Sequence, residues 1–193
     1  MAKRTTRMTS GAPLSATKDP NPAAAGLAID PDDAGDLIGR TVTINRPRQE
    51  LYDFWRDFRN LPLFMDNIES VQVLDSRKSH WKVKAPAGTT VEWDSVLIED
   101  LPGEVIAWKS VDGASVPNSG RIEFRDTSNG RGTQVSVTIV YDPPAGALGK
   151  LIAKLFQREP HIQARRDLRR FKQLMETGEI PTSQPPFAAP RAE

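Results

Sequence analysis

The sequence predicts an α+β fold, a curved seven-stranded antiparallel sheet around a long C-terminal helix, with short helices after the first strand. Three observations carry this. From Ile68 to Tyr141, apolar and polar residues alternate in six successive runs, and the links between runs are too short for parallel crossovers. Over Ala164, Leu168, Phe171 and Met175 the apolar period becomes helical, and at about 100° per residue these four fall within about 60° of one another. Near the start, Leu51, Phe54, Trp55 and Phe58 recur at i, i+3, i+4 and i+7, the spacing of a short helix with an aromatic face.

In chain order, Thr41-Val-Thr-Ile44 alternates and reads as a strand with Val42 and Ile44 inward. Pro47 suits the first turn of the aromatic helix, which should end near Asn60, before Pro62. Leu61 to Met65 reads as one more irregular helical turn. The six runs are Ile68–Leu74, His80–Lys84, Thr90–Glu99, Val105–Val111, Gly120–Arg125 and Thr133–Tyr141. Turn signals separate them, among them Asp75-Ser76, Pro86-Ala-Gly88, Pro102-Gly103 and Asn129-Gly130. Alternation turns Trp81, Val83, Val91, Trp93, Leu97, Ile106, Trp108, Ile122, Phe124, Val135, Val137, Ile139 and Tyr141 to one face. His80, Lys82, Lys84, Glu92, Asp94, Lys109, Arg121 and Glu123 fall on the other, a lattice of charges in water. Val96 and Ile98 break the pattern, which calls for a bulge or a covered outer patch. The segment that covers the apolar face starts with Asp142 as cap and Pro144 in the first turn, and aligns Leu148, Leu151, Ile152 and Leu155. Glu159-Pro160 interrupts it, and Gly178 and Pro181 stop it.

Composition bounds what such a domain can do. Eight of the 16 prolines sit in the ends, at 13, 20, 22, 31, 181, 185, 186 and 190, where Phe187 is the lone aromatic. Residues 1–38 and 180–193 are therefore expected to be disordered tails around a domain over 39–179. The basic start, with Lys3, Arg4 and Arg7, has no apolar stretch for a secretory signal and reads as a solvated tail. Lys+Arg is 26 and Asp+Glu 25, a formal charge of +1, which argues against nucleic-acid binding by bulk charge. Cys is 0 and His is 2, so thiol catalysis, disulfides and thiolate or multi-histidine metal sites drop out, and no cofactor is implied. Apolar runs are too short to span a membrane, and the expected location is cytoplasmic.

The chain resembles the START-like / polyketide cyclase-dehydrase superfamily, the helix-grip proteins, over about residues 40–178. The resemblance rests on Thr41-Val-Thr-Ile-Asn-Arg-Pro47 before the aromatic helix, on Trp81, on Val91-Glu-Trp-Asp94 and on Asp100-Leu-Pro-Gly-Glu-Val-Ile-Ala-Trp108. It continues through Val116-Pro-Asn-Ser-Gly120, Ile122-Glu-Phe124, Gly132-Thr-Gln-Val135, Tyr141-Asp-Pro-Pro144 and Asp167-Leu-Arg-Arg-Phe-Lys172. Together these look like the bacterial cyclase/dehydrase branch related to coenzyme Q-binding proteins. What the resemblance implies is a cavity between sheet and C-terminal helix that binds or transports a hydrophobic small molecule, a lipid, quinone or polyketide-like ring. Its expected walls are Trp81, Trp93, Trp108, Phe124 and Val137 from the sheet, with Tyr141 as a polar group. Phe58 and Phe64 would close one end, and Leu148 and Ile152 would face the sheet from the helix. The alternative readings are a cyclase/dehydratase-type enzyme and a membrane-peripheral or protein-interaction module.

An enzyme needs an inward acid or base, and the candidates are Asp94 and Tyr141. Glu92 and Asp94 lie two apart on one strand face, and alternation turns both outward, where cross-strand ion pairing is expected. A one-residue slip would turn Asp94 inward. Ser95 is a further inward polar residue. His80 and His161 have no Ser or acid partner at triad spacing, and Gly146-Ala-Leu-Gly149 lacks the Lys and spacing of a phosphate loop. Arg165, Arg166, Arg169, Arg170 and Lys172 span an arc of about 160° of the last helix. That arc reads as its wet face, and also as the surface for a weak peripheral contact with an anionic membrane.

Overall fold

The computed structural model describes residues 36–85, 88–141 and 160–180. The chain runs through β1 (Asp36–Ile44), α1 (Arg48–Arg56), a 3-10 helix (Phe58–Leu63), β2 (Ile68–Val73), β3 (Lys78–Lys84), β4 (Thr90–Leu101) and β5 (Val105–Ser110). It ends with β6 (Asn118–Asp126), β7 (Thr133–Tyr141) and α2 (Pro160–Thr177). The strands form one sheet in the order β1-β7-β6-β5-β4-β3-β2, every neighbouring pair antiparallel. Short links make β2 to β7 a meander, and β1 returns to the far edge beside β7. This is the curled sheet with a C-terminal helix that the sequence predicts. Among the described residues no helix is long and apolar enough to cross a membrane.

One difference and one expected irregularity have clear causes. β1 begins at Asp36, inside the stretch expected to be a tail, because its whole length pairs with β7 from Asp36↔Tyr141 to Ile44↔Thr133. The break at Val96 and Ile98 is a bulge: Leu97 opposes Trp108 and Glu99 opposes Ala107, so Ile98 has no partner on β5. The expected helix start at 142–159 lies outside the described residues.

The helices are held to the sheet by specific groups. Tyr52 on α1 donates to Asp100 Oδ1 (2.5 Å), and Arg56 Nε donates to Asp100 Oδ2 (2.8 Å). Burial, with the Asp100 hydrogen bond, pushes the Tyr52 hydroxyl up to about 12, so it stays a donor. The last carbonyls of α2 are taken up by Arg46, whose Nε donates to Met175 O (2.7 Å) and whose Nη2 donates to Glu176 O (3.2 Å). Lys172 Nζ donates to Thr43 O (2.6 Å), and the Asn45 amide donates to Glu176 Oε1 (2.7 Å). Gly178, at φ +78, closes the helix with its amide on Leu174 O (2.8 Å).

Gly132, between β6 and β7, has φ +86, and a Cβ there would lie 2.1 Å from Ile44 O. Gly130, at φ +67, has nothing within 4 Å. Gly132→Ala should therefore cost about 3 kcal/mol or more and Gly130→Ala about 1 kcal/mol, read from urea unfolding. Equal losses would mean that β1 does not approach the β6–β7 turn this closely.

Candidate functional site

A cavity of about 130 Å³ lies between the inner face of the sheet and α2. Its sheet wall carries Trp81, Trp93 and Trp108 with Val137 and Ile139, and its helix wall carries Gln163, Ala164, Asp167 and Leu168. The indoles come from three adjacent strands because Trp81 opposes Trp93 and Leu97 opposes Trp108 in register. Their planes are nearly parallel: Trp81 lies 6.3 Å from Trp93 at 9° and 6.1 Å from Trp108 at 14°. Two of the ring N–H groups are already used, Trp81 Nε1 donating to Ser79 Oγ (2.8 Å) and Trp93 Nε1 to Ser95 Oγ (3.1 Å). Each serine stands two residues from its tryptophan and so shares its strand face. Trp108 lies flat over Gly120, directly opposite on β6, where a Cβ would come 2.1 Å from Trp108 Cζ2. A glycine facing a tryptophan across two strands was the sequence signal for that geometry.

Of the expected wall residues, Trp81, Trp93, Trp108 and Val137 meet at the cavity. Phe58, Phe64 and Phe124 are buried in the packed core and do not line it. Phe58 packs on Trp81 (5.5 Å between centroids), Phe124 meets Tyr52 edge-on (6.0 Å), and Phe64 lies between Trp55 (5.1 Å) and Phe171 (4.9 Å). Leu148, Ile152 and the side chains of Tyr141 and His161 lie outside the described residues. Ser95 faces inward as the support of Trp93. Asp94 points outward, as alternation expects, and pairs with His80 Nδ1 (2.7 Å). Glu92 meets His80 Nε2 (3.5 Å) and Lys82 Nζ (3.7 Å) on the same outer face. The inward position that acid chemistry would need is not where Asp94 stands.

Sequence reasoning missed the inward carboxyl. Asp167 sits inside the basic run of α2, yet it is 7% exposed and lines the cavity. At 100° per residue it falls only about 40° from Phe171, which was the signal available. Burial, and secondarily the charge of Asp66, pushes its carboxyl from 3.8 up to about 7, against the opposing pull of Arg170 and Arg166. Asn67, in the turn before β2, also lines the cavity, and its buried Oδ1 has no hydrogen-bond partner among the described residues. The basic face is partly spent within the chain. Arg166 and Arg170 both pair with Asp66, and Lys172 pairs with Glu176 (3.3 Å), while Arg165 and Arg169 are exposed.

The Asp167 shift has a stability consequence. A carboxyl raised on folding carries no penalty below about pH 4, an increasing one up to about pH 7, and the full one above. The full penalty is roughly 4 kcal/mol. Asp167→Asn should match the wild type in urea unfolding at acid pH and exceed it by up to roughly 4 kcal/mol at about pH 8. A difference that does not change with pH would mean the carboxyl is in water.

The comparisons with known proteins agree with this geometry. The family model described as polyketide cyclase/dehydrase and lipid transport matches residues 44–169. A crystal structure of a Deinococcus radiodurans protein is 42% identical, with a TM-score of 0.62, over 75% of this chain and 100% of that one. An aromatase/cyclase of Streptomyces shares the fold at 18% identity and a TM-score of 0.59, over 75% of this chain and 98% of its own. An uncharacterised 17.2 kDa protein of Streptomyces lincolnensis is 26% identical over 140 residues, 72% of this chain and 89% of that protein. Because the family match runs from the end of β1 into α2 and takes in both walls of the cavity, the chain belongs to the polyketide cyclase/dehydrase and lipid transport family.

Proposed function

We propose that the protein binds or carries a hydrophobic, ring-bearing small molecule, such as a quinone or polyketide-like ring, in the cavity between sheet and α2. The observation that carries this reading is the wall of near-parallel indoles with two of its N–H groups already satisfied by serine. Such a wall offers apolar ring faces and few donors, and flat rings gain most from it through dispersion and offset stacking. A volume of about 130 Å³ suits one ring, since a cavity of about 150 Å³ takes up benzene.

A simple probe tests the reading. Propylbenzene should raise the Tm of the wild type by several degrees, as a ligand of the native state alone does. Ala164→Phe projects a ring into the space from α2 and should weaken propylbenzene at least about tenfold in calorimetry. Unchanged affinity in that variant would count against this cavity as the binding site.

A second reading, a cyclase/dehydratase, is favoured by one specific observation, the Asp167 carboxyl. A cavity-lining acid at about 7 is suited to give or take a proton near neutral pH. Incubation with a linear poly-β-ketone thioester tests it by mass spectrometry. The enzyme reading expects loss of water with the wild type and none with Asp167→Asn, and no product with the wild type would remove it.

A further inference from the structure

The three indoles of the sheet wall differ in how their N–H groups are used. Each has a serine two residues away on its own strand face, Ser79 for Trp81, Ser95 for Trp93 and Ser110 for Trp108. Ser79 and Ser95 accept the N–H of their tryptophans (2.8 and 3.1 Å). Ser110 Oγ instead accepts the backbone N–H of Asn118 (3.1 Å), at the start of β6. Trp108 Nε1 is left without a partner among the described residues, and an indole N–H can only donate. It is not sealed in, for the enclosed unpaired side-chain atoms among those residues are Asn67 Oδ1, Ser119 Oγ and Arg170 Nε. Trp108 is 8% exposed on the inner face and lines the cavity, so what is open of its ring opens there. The ring is also held in place, flat over Gly120 on one strand and stacked with Trp81 (6.1 Å, 14°) on the other side.

We propose that Trp108 is a specificity-determining residue of the cavity, its ring N–H donating to a carbonyl oxygen on the bound ring. This favours a ring ketone or quinone over a plain hydrocarbon. The inference rests on the ligand binding proposed above and names the polar atom that the ligand carries. A hydrocarbon that covers the N–H takes it from water and returns nothing, whereas a ketone oxygen pairs it. A site that pairs one polar group rejects a ligand lacking that group more strongly than apolar contact alone allows. Little ordering is needed for the bond, because Gly120 and Trp81 already set the indole. The Gln163 and Asn67 amides also carry donors at the cavity, but they belong to α2 and the turn before β2, so a bond to Trp108 can be told from a bond to either.

Propiophenone and propylbenzene test this, since they differ by a carbonyl in place of one methylene. Taking the carbonyl out of water has a cost that the hydrocarbon does not meet, so a wall that leaves it unpaired binds propiophenone about tenfold or more weaker. Calorimetry at about pH 8, where Asp167 is mostly a carboxylate and offers no proton, should instead find propiophenone within about threefold of propylbenzene or tighter. Trp108→Phe should weaken propiophenone about tenfold more than propylbenzene. Equal weakening of the two would mean that the indole only packs, and would overturn the inference. If that variant fails to fold, proton–nitrogen NMR of the wild type decides. The Trp108 Nε1–H signal should move downfield with propiophenone and stay near its place with propylbenzene. A signal that does not distinguish the two, or a downfield move at Trp55 in its stead, overturns the role of Trp108 and leaves the cavity reading standing. Failure of both compounds to bind overturns the two together.

Discussion

The aromatic cluster of Trp55, Phe64 and Phe171 sets where α2 lies, and the cavity depends on that position. The three rings come from α1, the residue after the 3-10 helix, and α2. Their centroids are 4.8 to 5.1 Å apart and all three are essentially inaccessible. A buried aromatic of this kind is worth on the order of 3–5 kcal/mol. The cluster ties the helix to the helical cap, and Arg46 and Lys172 tie its last turns to the end of β1. Among the strands, α2 packs chiefly along β1. The inner faces of β3, β4 and β5, which carry the tryptophans, then look into space that the helix does not fill.

The sheet separates its charges from its rings by alternation alone. On the outer face His80, Lys82, Glu69, Glu92 and Asp94 pair across strands, and Arg121 lies between Glu99 and Glu123. The half-exposed pairs around His80 and Lys82 add little stability each, and with the largely buried Arg121–Glu123 pair they keep charge on the outer face. On the inner face the ring N–H groups of Trp81 and Trp93 end on serines of the same strand. Apart from Trp108 Nε1 and from Asn118 at the start of β6, what remains polar in the cavity comes from the helix and the turns, Gln163, Asp167 and Asn67. The binding surface is thus an apolar wall set against a polar edge, the arrangement that orients a small molecule.

Most of this was legible in the sequence where period carried it. Alternation placed Trp81, Trp93, Trp108 and Val137 inward and Asp94 outward, and the break at Ile98 marked the bulge. What period could not tell is which inward residues face a void and which face each other. Phe124 shares the inward pattern of the tryptophans but meets Tyr52 of α1, and Phe58 and Phe64, in and just after the 3-10 helix, pack on Trp81 and on Trp55 and Phe171. The first residues of β1 were missed because their strand exists through pairing with β7, about a hundred positions away, and not through their own pattern. Asp167 was masked by its basic neighbours, although its helical angle pointed toward Phe171. Asn67 lies in a turn, where no period applies.

The most direct measurement is isotope-filtered NMR of the protein with bound propylbenzene. Contacts of one ligand ring with the indole protons of Trp81 and Trp93 and, at the same time, with the Ala164 methyl group are the predicted result. Contacts confined to exposed apolar residues such as Leu63 or Leu101, with none to Ala164, would contradict a ligand held between sheet and helix.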